Sequence, residues 1–83
     1  MFLEYDFEGW FLSSIESLHY AIAEKEIDYI ESTLRRMKDE LRFVDSEDYT
    51  AAIDLFAEEF GVDTTVAWML IDGHKNAKIL LPA

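Results

Sequence analysis

Residues 49–63 read Tyr49-Thr50-Ala51-Ala52-Ile53-Asp54-Leu55-Phe56-Ala57-Glu58-Glu59-Phe60-Gly61-Val62-Asp63, and this stretch decides the fold class. Tyr49, Ile53, Phe56 and Phe60 recur at the three- and four-residue intervals that place side chains on one face of an α-helix. Gly61 then stands where a helix should stop, because glycine adopts the left-handed closing conformation without Cβ strain. Asp63 carries a side chain suited to cap the next helix, which is predicted to run to about Asp72 and close at Gly73. Upstream, Asp45-Ser46-Glu47-Asp48 reads as a loop in which Ser46 or Asp48 is the expected N-cap.

Two more stripes lie N-terminal to this stretch. Phe7, Phe11, Ile15, Leu18 and Ile22 form one, interleaved with the small residues Ser13, Ser14, Ser17 and Ala21 that would let a neighbouring helix pack closely. Ile27, Ile30, Leu34, Met37, Leu41 and Val44 form the other. Glu24-Lys25-Glu26 interrupts the apolar pattern between them, and Asp28 could cap a new helix there. A single helix from Gly9 to Val44 would extend about 54 Å. A hairpin is favoured, since a thin domain buries two short helices against each other more readily. With one proline and three glycines in the chain, turns are few. The expected fold is all-α: one domain spanning 1–83, a small bundle of three to four helices. Leu3, Tyr5 and Phe7 alternate with acids and Ile79-Leu80-Leu81 looks extended, so short extended segments are expected at the termini.

Eighty-three residues suffice for one domain with a thin core, and twelve aromatics supply it well. The absence of cysteine rules out a disulfide, a thiolate metal site and a thiol nucleophile. Met1-Phe2-Leu3-Glu4-Tyr5-Asp6 is acidic where a signal peptide would be basic, and no apolar run approaches the roughly 20 residues of a membrane span. A cytoplasmic protein is expected.

Charge is the loudest feature: 18 acidic residues against 7 basic ones, for a net −11. Such a surface repels nucleic acid and anionic membranes and attracts basic proteins. The acids are unevenly placed. Residues 1–24 hold five and no Lys or Arg; residues 25–44 are balanced, five against five. Residues 45–63 hold Asp45, Glu47, Asp48, Asp54, Glu58, Glu59 and Asp63 with no basic residue. On a helix, Glu47, Asp54 and Glu58 line one face opposite the apolar stripe, with Asp48 and Glu59 flanking it. A face that is merely solvated usually mixes signs, as the second stripe's helix does. These seven carboxylates are therefore the expected partner-binding surface.

Other constellations carry less. Ala57 to Leu70 has the outline of a helix-turn-helix, but its second helix holds no Lys or Arg and reads Val66-Ala67-Trp68-Met69-Leu70-Ile71 through the middle. Six consecutive apolar residues predict a helix buried all round or forming a subunit interface, for which Trp10, Trp68 and Met69 are the expected apolar contacts. Glu16-Ser17-Leu18-His19 is a lone Glu-x-x-His, and the second pair that a di-iron bundle needs is missing. No metal, cofactor or catalytic residue is assigned, so the chain reads as non-catalytic.

In general character the sequence resembles small acidic proteins that block nucleic-acid-handling enzymes: phage anti-CRISPR and antirestriction proteins, and immunity proteins of nuclease toxins. That resemblance is one of composition. It implies a stoichiometric inhibitor or modulator occupying a basic, nucleic-acid-binding surface of a partner protein, without contacting nucleic acid or membrane itself. The alternative is an apolar assembly module, an adaptor or antitoxin-like homodimer; a helix-turn-helix regulator is third.

Overall fold

The computed structural model describes residues 6–73 and 78–81. Among them are four helices and no strand: α1 (Phe7–Ala23), α2 (Ile27–Leu41), α3 (Ser46–Phe60) and α4 (Thr64–Asp72). The protein is thus the all-α bundle that the periodicity implies.

Each boundary has a local cause. Asp6 caps α1 by accepting from the Gly9 N–H at 3.0 Å, and the bare Gly9 leaves room for that carboxylate. The chain does break between the first two stripes. Lys25 takes the left-handed conformation at φ 58°, so the Lys25 N–H donates to the Ile22 carbonyl and the Glu26 N–H to the Ala21 carbonyl. This is a Schellman closure built on a lysine rather than a glycine. The new helix starts at Ile27 with Glu26 in the cap position and no side-chain cap bond, so Asp28 falls inside the first turn instead of capping it. Neither Ser46 nor Asp48 caps α3; Asp45 does, accepting from the Asp48 N–H at 2.8 Å from an extended backbone. Several consecutive polar residues could serve there, and Asp45 is the one whose backbone is extended and whose carboxylate reaches the N–H three residues on.

Gly61 closes α3 at φ 65°, with the Val62 N–H donating to the Ala57 carbonyl. Asp63 caps α4 through the Val66 N–H at 2.8 Å, and the Gly73 N–H donates to the Met69 carbonyl at the far end. Residues 78–80 form a 3₁₀ turn, not the extended segment expected of Ile79-Leu80-Leu81. Phe7 belongs to α1, and Leu3 and Tyr5, the rest of the expected N-terminal extended segment, lie outside the described residues.

α1 packs on α2 and α3 on α4, and the two hairpins stack through α2 against α4 and, more lightly, α1 against α3. All four contribute to one core, in which Phe11, Leu18, Ile30, Leu34, Met37, Phe56 and Leu70 are fully enclosed. Lys38 fastens α2 to the end of α4: its Nζ donates to the Asp72 carbonyl at 3.1 Å and lies 3.4 Å from the Asp72 carboxylate. That contact places a cation at a helix C-terminus, where the dipole favours it.

Of the two alternatives expected of α4, burial all round needs correcting. The helix is not buried all round: Ala67, Leu70 and Ile71 enter the core, Val66 is partly covered, and Trp68 and Met69 are 46% and 45% exposed. Its inner face rests on α2 and α3, while Trp68 and Met69 leave its outer side partly open.

Candidate functional site

α3 presents its charge opposite its core face. Ala52, Ile53, Phe56 and Ala57 are buried, with Tyr49, Leu55 and Phe60 packed at the margins. All seven carboxylates singled out from the sequence are exposed. Their roles nevertheless divide. Asp45 and Asp63 are spent on N-caps, and Glu47 and Asp48 sit in the first turn of α3, where the helix dipole welcomes negative charge. A structural account therefore covers those four.

It does not cover Asp54, Glu58 and Glu59. Asp54 and Glu58 are four residues apart and repel each other. Glu58 and Glu59 occupy the last turn, where negative charge opposes the dipole and no basic residue is present. Glu59 has one neighbour of note. The His19 Nε2 of α1 lies 3.8 Å from its carboxylate, and the same imidazole stacks on Phe60 with ring centroids 4.5 Å apart. Glu59 thus faces the α1 side, whereas Glu47, Asp54 and Glu58 form the outward ridge. Among the described residues, none of Asp45, Glu47, Asp48, Asp54, Glu58 and Asp63 has a Lys or Arg within ion-pair distance.

Grooves flank the ridge on both sides. Where α1 and α3 touch only lightly, a cleft of about 250 Å³ is floored by Phe7, Phe11, Ala52 and Leu55 and rimmed by Glu8 and Asp48. On the other side, between α3 and α4, a shallow groove of about 210 Å³ is lined by Tyr49, Thr50, Ile53, Asp54, Thr64 and Trp68. The expected apolar contacts do not form one patch. Trp68 belongs to the α3/α4 groove, while Trp10 lines a separate, hydroxyl-rich groove of about 140 Å³ between α1 and α2, with Ser13, Ser17, Thr33 and Arg36. Met69 is exposed beside Trp68 on α4.

The partnership of Tyr49 and Thr64 with Trp68 was not foreseen from sequence. Tyr49 and Ile53 share a face of α3, as Thr64 and Trp68 share a face of α4, but the facing of the two helices is a tertiary fact. Among the described residues no cluster of three His, Asp or Glu side chains is placed to hold a metal ion, and no helix is long and apolar enough to cross a membrane. Comparison with known proteins adds no relative: no family model, no curated protein and no solved structure matches this chain.

Proposed function

We propose that the protein acts by binding, as a stoichiometric inhibitor or modulator that occupies a basic, nucleic-acid-binding surface of a partner protein. The observation that carries this reading is the α3 ridge of Glu47, Asp54 and Glu58, exposed and without a Lys or Arg partner among the described residues. Within that ridge Asp54 and Glu58 lower helix stability and are left unrelieved, which a use outside the fold explains. A nucleic-acid-binding surface is rich in Lys and Arg arranged to meet phosphate, and a line of carboxylates can compete for it.

The test is capture of partners from lysate on the immobilised protein at low and high salt. Binding should weaken steeply with salt, because exposed charges are screened. It should also be lost in the triple variant Asp54→Lys, Glu58→Lys, Glu59→Lys. Undiminished binding by a folded triple variant would defeat the proposal.

A second reading, an apolar assembly module or homodimer, is favoured by one observation: Trp68 and Met69 stand side by side and about half exposed on α4. It predicts association that persists at high salt. The helix-turn-helix outline has its counterpart in the α3–turn–α4 unit, but the exposed side of α4 offers Thr65, Trp68, Met69 and Asp72 and no cation for phosphate.

A further inference from the structure

We propose that the groove between α3 and α4 is a receptor for an arginine side chain presented by the basic partner, stacked on Trp68 and paired with Asp54. This inference rests on the acidic-ridge reading and names the contact that would give that ridge selectivity.

Three features of the groove select the occupant. Its lining is aromatic: Trp68, the largest side chain of α4, remains 46% exposed and lines the groove together with Tyr49 and Ile53. Its rim is anionic: Asp54 lines it, and no Lys or Arg pairs with that carboxylate among the described residues. The two helices that form it carry charge of one sign, since from Phe43 to Gly73 the chain holds eight acids and no Lys or Arg. Lys38 and Arg42 line the adjoining groove that shares Tyr49, where Asp72 engages Lys38 and Asp39 lies 3.9 Å from Arg42.

An apolar side chain would cover the aromatic wall but strip water from Asp54 without replacing its hydrogen bonds. A lysine would satisfy the carboxylate, yet its compact, strongly hydrated ammonium gains less from an aromatic face. The planar guanidinium of arginine does both, stacking on the indole while donating two N–H groups to one carboxylate. A phosphate or nucleic acid is repelled by the rim.

The test uses hexa-arginine and hexa-lysine peptides, equal in charge, titrated at fixed ionic strength. A Trp10→Phe background, checked for helicity by circular dichroism, leaves Trp68 as sole indole reporter. Hexa-arginine should bind about fivefold more tightly than hexa-lysine and shift the Trp68 emission. Trp68→Ala, followed by calorimetry, should remove that preference, bringing hexa-arginine binding down to the level of hexa-lysine. Equal affinity for the two peptides, or a preference that survives Trp68→Ala, would overturn the proposal. So would emission that changes with protein concentration alone, because Trp68 would then be contacting a second copy. The acidic-ridge reading fails separately, if the Asp54, Glu58, Glu59→Lys triple variant binds both peptides as well as the parent does.

Discussion

Helices α2 and α3 are each fifteen residues long and each supply one face to the same core, yet their outer faces follow different rules. α2 carries four acids and three bases, with Glu31 four residues before Arg35 and Arg36 four before Glu40, the spacing at which opposite charges support a helix. α3 carries five acids and no base, and two of those acids stand at the end where the dipole opposes them. One helix distributes charge as a solvated surface does. The other accepts repulsion that its fold does not need. The difference teaches that the net charge is a local property of this molecule, which is why a binding face can be argued at all.

The comparison can be broken at its base, in the core. Phe56 on α3 and Leu34 on α2 are both fully buried, so the two helices should be equally indispensable. Phe56→Ala should cost about 3–5 kcal/mol and Leu34→Ala about 2–5 kcal/mol, read by urea denaturation. A negligible loss at Phe56 would mean that α3 is a mere carrier of charge.

Helix starts give the next effect. α3 has a capping carboxylate in Asp45, while Glu26 of α2 makes no side-chain cap bond. Asp45→Ala should therefore cost about 1 kcal/mol, and Glu26→Asp should stabilise the protein where Glu26→Ala leaves it nearly unchanged. Of similar size is the joint between α1 and α2. Lys25→Gly should raise stability by roughly 1 kcal/mol by relieving the left-handed lysine, a gain visible as a higher thermal midpoint. Smallest is the charge term itself: Glu58→Gln should stabilise α3 by about 0.3–1 kcal/mol at low salt, and the gain should shrink as salt is added. Stabilisation on removing an acid, with loss of binding, would mark Glu58 as retained for function.

Much of this arrangement was legible in the residues. Gly61 and Asp63 act through their own backbone and side-chain chemistry, so the turn between α3 and α4 could be read directly. The ridge followed from helical spacing alone. Harder to read was the break at Lys25, because nothing in a lysine announces a positive φ. The cap of α3 was misplaced since neighbouring polar residues compete for it. Trp68 and Met69 were singled out as contact residues, but that Trp10 lines a separate groove escaped, because an unbroken apolar run, Val66 to Ile71, does not say which side will dock. The groove between α3 and α4 depends on how two helices face each other, and no local pattern encodes that.

The central claim is that the placement of charge on α3, rather than the total, makes the protein a binder. Two triple variants with the same change in net charge put it to the test: Asp54, Glu58 and Glu59→Lys on α3, and Asp28, Glu31 and Asp39→Lys on α2. Each would be titrated against the partner captured at low salt, with folding verified by circular dichroism. The account predicts at least about a tenfold loss of affinity for the α3 variant and a change within about threefold for the α2 variant. Equal losses in both would show that the charge acts diffusely, and would contradict it.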